Sequence, residues 1–155
     1  MRSIALRVAV VALLQLALVG IAVAPRLSAR LTGDEYRLRV APVDPIDPFR
    51  GAYVDLGYPD LGTADERGDR GAVYVILEEE GGLWKAAGYS RERPSGPPYL
   101  RCDDRDWRLR CGIESLFLPQ DEAAAMQEQV AGGTLVAIVR IDGRGNAALV
   151  RVEKA

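Results

Sequence analysis

Three groups of side chains in this sequence are of types that could do chemistry. Ser28 follows a long apolar run, and Lys85 is one of only two lysines, the other being Lys154. A serine and a lysine can form a hydrolytic dyad if the amine is desolvated until its pKa falls toward neutrality. Asp103, Asp104 and Asp106 form a carboxylate cluster of the kind that can collect a hard cation such as Ca²⁺. Interleaved Arg101, Arg105 and Arg108 oppose that use and favour a solvated hairpin tip. Asp44 and Asp47 could trade protons as a carboxylate pair, but each precedes a proline, where aspartate is mainly a turn device. The chain contains no His, which removes the commonest general base and the commonest transition-metal ligand. We therefore expect no catalytic residue, no metal and no cofactor. Ser28 with Lys85 is kept as the alternative, an envelope hydrolase of Ser/Lys type.

Cys102 and Cys111 stand nine positions apart around a polar, turn-like segment. With no His, no third Cys and no Cys-x-x-Cys spacing, a disulfide that staples a hairpin is expected rather than a zinc or redox pair. Such a bond agrees with a domain held in an oxidising compartment, as the N-terminal segment implies below.

The elements that must position these groups begin with the N-terminus. Val8 to Ala24 is a run of 17 residues without a charge, preceded by Arg2 and Arg7. Its length is near the ~20 residues needed to span a bilayer. A cleaved secretory signal is the competing reading, with Ala22-Val23-Ala24 as the small-x-small site. The run exceeds an ordinary signal core, however, and Pro25 would follow the cut, where its fixed φ hinders a protease. We read residues 1–24 as an uncleaved anchor that enters the membrane through residues 4–24, followed by a linker over 25–34 and an extracytoplasmic domain over 35–155. The charge order puts the C-terminal domain on the periplasmic or extracellular side of a bacterial inner (cytoplasmic) membrane. Eighteen of the 20 basic residues and all 22 acidic ones lie from position 25 onward. An acidic domain lacks the basic face that nucleic acid requires, so no nucleic-acid partner is expected.

Beyond the linker, Glu35 to Val43 alternates, with Tyr36, Leu38 and Val40 on one side and Arg37 and Arg39 on the other. That period of two predicts a half-buried strand. Pro42, Pro45 and Pro48 predict an extended connection, and Gly51 to Tyr58 a second strand. A polar loop over 59–71 leads to a strand over Ala72 to Leu77. Glu78 to Gly82 is read as a turn and Leu83 to Tyr89 as the returning strand. The cysteine hairpin and a strand over Ile113 to Leu118 follow. Pro119 to Ala131 is predicted as a helix, begun by Pro119 and stopped by Gly132-Gly133. Thr134 to Ile141 and Ala147 to Val152 should close the chain as a hairpin. The expected fold is mainly β, a small barrel or sandwich of about eight short strands, with one soluble helix and a preceding transmembrane helix.

Val40 to Tyr58 reads VAPVDPIDPFRGAYVDLGY. This resembles the bacterial GDYXXLXY domain family, named for Gly-Asp-Tyr-x-x-Leu-x-Tyr after a proline- and aspartate-rich approach. Gly51, Tyr53, Leu56 and Tyr58 match the motif, and Pro42, Asp44 and Pro45 match the approach. Ala52 departs, because the family name has Asp there. Gly112-Ile113-Glu114-Ser115-Leu116-Phe117 resembles the family's second block. The resemblance implies a membrane-anchored bacterial domain and, as a partner, a polytopic membrane protein. Gly51, Tyr53, Leu56, Tyr58 and Asp44 are the corresponding candidate binding motif. The alternative reading of the motif is ordinary packing, since tyrosines serve well at the edge of a core. Tyr53 and Leu56 differ by three, so a bulge or burial on both faces is needed to accommodate them.

Two function classes follow. One is an interaction or structural module working with another envelope membrane protein, and the other is the Ser28/Lys85 hydrolase. That hydrolase arrangement is loosely similar to the Ser/Lys signal peptidases, but the residues around Ser28 lack their Ser-x-Met-x-Pro pattern. A small-ligand-binding domain is a third reading, suggested by Tyr53, Tyr58, Trp84 and Trp107. The module is the expected function.

Overall fold

The computed structural model describes residues 2–42, 53–63, 70–96, 98–106, 108–117 and 135–154. Among these residues one α-helix, α1 (Arg2–Thr32), leads directly into eight strands. These are β1 (Asp34–Pro42), β2 (Tyr53–Gly57), β3 (Ala72–Glu80), β4 (Leu83–Ser90), β5 (Tyr99–Asp103), β6 (Ser115–Phe117), β7 (Leu135–Ile141) and β8 (Ala147–Lys154), with a 3-10 turn over Pro59–Leu61 after β2. All pairings are antiparallel and form two sheets, β6-β2-β1-β7-β8 and β4-β3-β5. The expectation of a mainly β, sandwich-like fold of about eight strands behind an apolar helix is met. The helix expected over Pro119 to Ala131 lies outside the described residues.

One buried cluster joins the two sheets. Leu38, Val40, Leu56 and Val139 come from the first sheet, and Val73, Val75, Leu77 and Leu100 from the second. β1 shows the predicted alternation, with Leu38 and Val40 buried, Tyr36 packed against the core, and Arg37 and Arg39 exposed. Tyr36 meets Trp84 of the other sheet edge-to-face, the ring centroids 5.0 Å apart. In β7 every position but Arg140 is apolar, and the strand is buried on both faces, as a continuous apolar run implies.

Two expectations change. The β3–β4 turn is shorter than Glu78 to Gly82, because Glu78, Glu79 and Glu80 pair with Lys85, Trp84 and Leu83. Only Gly81 and Gly82 make the reversal, both at positive φ, as a two-residue hairpin turn requires. The predicted linker over 25–34 gives way to helix, since α1 runs through Pro25 to Thr32 and β1 starts at Asp34. A proline inside a helix removes one backbone hydrogen bond. The helix-forming Arg, Leu and Ala that follow favour continuation, and contacts with the domain fix the last turn.

Candidate functional site

The residues Tyr53 to Tyr58 are positioned by strand pairing with a distant block. β2 lies beside β6 and matches Tyr53 with Phe117, Val54 with Leu116, and Asp55 with Ser115. The Leu56 N–H donates to the Glu114 carbonyl at 2.7 Å, and Leu56 is fully buried in the core. Just past the strand, the Tyr58 hydroxyl donates to the Ile113 carbonyl at 2.8 Å. Burial pushes the Tyr58 phenol well above its ordinary pKa, and the charge of Glu114 adds to the effect. The hydroxyl is therefore a fixed donor and not an acid.

The disulfide loop closes against this strand. Cys102 and Cys111 are bonded, with an S–S distance of 2.02 Å. Arg108, inside the loop, donates from Nη1 to Asp55 Oδ2 at 2.8 Å. The Glu114 carboxylate accepts from the N–H groups of Cys111 and Gly112, the latter at 3.1 Å to Oε1 and 3.0 Å to Oε2. Between these walls lies a mostly apolar cleft of about 140 Å³, lined by Leu56, Tyr58, Leu61, Leu109, Cys111 and Glu114 among others. A second cavity, of about 320 Å³, lies between the end of α1 and the domain. Glu114 lines both, so the two adjoin.

The joint between α1 and the domain is the third part of the site. Ser28 Oγ donates to Asp142 Oδ2 at 2.6 Å. Asp142 also accepts from the backbone N–H of Arg144 and Asn146 and from the Asn146 side chain. Burial pushes its carboxyl pKa up, but the Ser28, Asn146 and backbone hydrogen bonds outweigh that and hold it below the usual range. Arg140 of β7 donates from Nε to the Gly33 carbonyl at 3.0 Å and from Nη1 to the Arg30 carbonyl. Helix-end carbonyls have no partner within the helix, and Arg140 supplies one from outside. Ala29 is fully buried at this contact. The β7–β8 turn also holds the second sheet, because the Gly145 carbonyl accepts from the Arg101 N–H at 2.8 Å. The Gly143 carbonyl accepts from the Tyr99 hydroxyl at 3.0 Å and from Arg93 Nη2 at 2.8 Å.

A family model described as GDYXXLXY protein matches residues 15–152. The chain belongs to the GDYXXLXY family. No curated protein and no solved structure matches it. The match begins inside α1 and ends in β8, so in this GDYXXLXY protein the helix end, the joint and both sheets belong to one family unit.

Of the residues singled out in the sequence, Leu56 and Tyr58 meet at the cleft of this GDYXXLXY domain. Tyr53 is in β2, while Asp44, Asp47, Gly51 and Ala52 lie outside the described residues. Ser28 and Lys85 are not brought together as a pair. Ser28 is held by Asp142 on the first sheet, and Lys85 sits beside Glu80 at 2.5 Å and Glu78 at 3.3 Å in the other. Those carboxylates, Glu80 foremost, raise the Lys85 pKa, the opposite of what a dyad base needs. The three aspartates of the loop each meet an arginine. Asp103 pairs with Arg105, which pulls its carboxyl down to about 2. Asp106 pairs with Arg110, and the buried Asp104 accepts from both terminal nitrogens of Arg91. Asp142, Arg140 and Glu114 went unnoticed in the sequence as site residues. The only local signal was the aspartate opening Asp142 to Asn146, a residue type that accepts from N–H groups further along a turn.

Proposed function

We propose that this GDYXXLXY-family chain is a single-pass membrane-anchored module that docks on a polytopic membrane protein, its domain on the periplasmic side of a bacterial inner membrane. The observation that carries the reading is the joint, where α1 enters the domain with only Gly33 between helix and strand and is fixed by Ser28–Asp142 and Arg140. A domain held in one pose over a bilayer is pre-organised for a neighbour in the same membrane, which lowers the entropic cost of docking. α1 has the length and apolarity to span a membrane, and the apolar window is not buried against the domain. The disulfide fits the oxidising side. At about 140 Å³ the motif cleft is below the ~300–1,000 Å³ typical of small-molecule sites. It suits one apolar side chain of a protein partner, an anchor of the kind that dominates interface energy.

The test is purification of the tagged full-length protein from solubilised membranes, with mass spectrometry of its companions and of its own N-terminus. A stoichiometric polytopic protein and an intact N-terminus are expected, with the companion lost when Leu109→Trp fills the cleft. A mature start near Pro25 with no companion would overturn the proposal.

A further inference from the structure

We infer that the cavity between α1 and the domain is a binding site for the headgroup of an aminophospholipid, a phosphate with a neighbouring ammonium. The inference rests on the anchored reading above. The cavity, of about 320 Å³, is lined by Arg26 and Arg30 of α1 on one side and by Gly112, Glu114 and Ser115 on the other. Arg26 and Arg30 are four positions apart and so share one face of the helix. At a rise of 1.5 Å per residue they stand about 3 and 9 Å beyond Ala24, where the apolar run ends. The headgroup layer of a bilayer is roughly 5–8 Å thick on each side, so these guanidiniums span the layer that holds lipid phosphates.

Chemistry and position agree. Guanidinium is the side-chain group that matches phosphate oxygens in a bidentate fork. Arg26 reaches across to the domain, its Nη2 lying 4.0 Å from where a Cβ on Gly112 would be. Arg30 donates to the Leu149 carbonyl from Nη2 at 3.5 Å, a long contact that leaves most of its donors available. Glu114 gives the same cavity a negative charge. Its carboxylate is oriented by the Cys111 and Gly112 N–H groups and keeps acceptor capacity, because a carboxylate offers about four lone-pair sites. Two cations facing one fixed anion match a phosphate carrying its own ammonium better than a purely anionic headgroup, which Glu114 would repel. Ala148 and Leu149 supply an apolar wall, suited to the glycerol and first methylenes. Because Glu114 also lines the motif cleft, headgroup and partner would meet on two sides of one residue.

The experiment places the full-length protein in nanodiscs of equimolar phosphatidylethanolamine and phosphatidylglycerol and counts retained lipid by native mass spectrometry. Phosphatidylethanolamine should be retained in excess. The Arg26→Gln/Arg30→Gln variant should lose retention about tenfold, the equivalent of one charge-assisted hydrogen bond. Glu114→Gln should bring the two lipids to equal retention. Equal or reversed retention by the wild type overturns the inference whatever the variants do, as does unchanged retention after loss of both arginines. Alkaline extraction of the native membranes separates the two readings. Protein released by alkali sinks the anchored reading itself, whereas protein that stays inserted without lipid preference sinks only the headgroup site.

Discussion

Asp142 uses two oxygens to accept four hydrogen bonds, from Ser28 on the helix and from Arg144 and Asn146 within its own turn. Removing such an acceptor leaves the half-buried Ser28 and Asn146 donors without their partner, which costs more than the bonds' net worth. Asp142→Ala should cost on the order of 3 kcal/mol in urea unfolding. Asp142→Asn should cost about half of that, because its oxygen still accepts from the turn while its amide cannot accept from Ser28. The carboxyl pKa is held below the ordinary range in the folded protein, so the linked stability is present above the unfolded value of about 3.9 and is lost as pH falls through the folded one. The gap between wild type and Asp142→Asn should therefore narrow on acidification from about pH 7 to about pH 3. A gap that stays constant would mean that the charge contributes nothing. Little of this was visible in the sequence, where Ser28 stood out for following the apolar run and Asp142 only as the residue that opens a turn. Lys85 shows why a pairing read from residue types misleads. Two glutamates that strand pairing brings beside it raise its pKa, and cross-strand register is not written in the residues themselves.

At the scale of elements, the passage from α1 to β1 depends on one glycine. A Cβ at Gly33 would lie 2.5 Å from the Ala29 carbonyl oxygen and within 2.9 Å of the Ile141 backbone. Backbone atoms cannot give way as a flexible side chain can, so Gly33→Ala should destabilise by about 1–3 kcal/mol and push the helix end off β7. Arg140→Ala should cost about 2 kcal/mol by uncapping the Arg30 and Gly33 carbonyls. Hydrogen exchange reads both variants at one amide, since the Gly33 N–H donates to the Ala29 carbonyl at 3.0 Å. Its protection should fall in each, while β3 and β4 keep theirs. Strands with a clean period, β1 and β7 above all, were legible because alternation or an unbroken apolar run reports burial directly. The passage from membrane helix to domain was not. Residues 25–34 read as a linker, and the contacts that hold them as helix come from Arg140 and Asp142, more than a hundred positions away.

Across the whole molecule, the two sheets share one core, and among the described residues covalent and polar ties also fix them to each other. The β7–β8 turn is one, gripping β5 through the Arg101 N–H and Tyr99. The Tyr89 hydroxyl of β4, which donates to the Leu61 carbonyl after β2 at 3.0 Å, is another, and the disulfide a third. Cys102 belongs to β5 of the three-stranded sheet, Cys111 precedes β6 at the edge of the five-stranded sheet, and both are in the buried cluster. The spacing of the cysteines made the bond legible. Its place between sheets was not, because that depends on β6 crossing to pair with β2. Closing a loop of this length should contribute ~2–3 kcal/mol, mostly by restricting the unfolded chain. The Asp103 and Arg110 backbones exchange two hydrogen bonds of 2.8 Å across the same loop, so a folded domain should survive without the sulfur bridge. Cys102→Ser/Cys111→Ser should therefore shift the urea midpoint down by that amount while keeping a cooperative transition, and reduction of the wild type should reproduce the shift. If the midpoint stays put, the bridge adds nothing to what the shared core and the paired backbones already supply. If the transition splits in two, the sheets unfold separately, and the disulfide rather than the shared core makes them one unit.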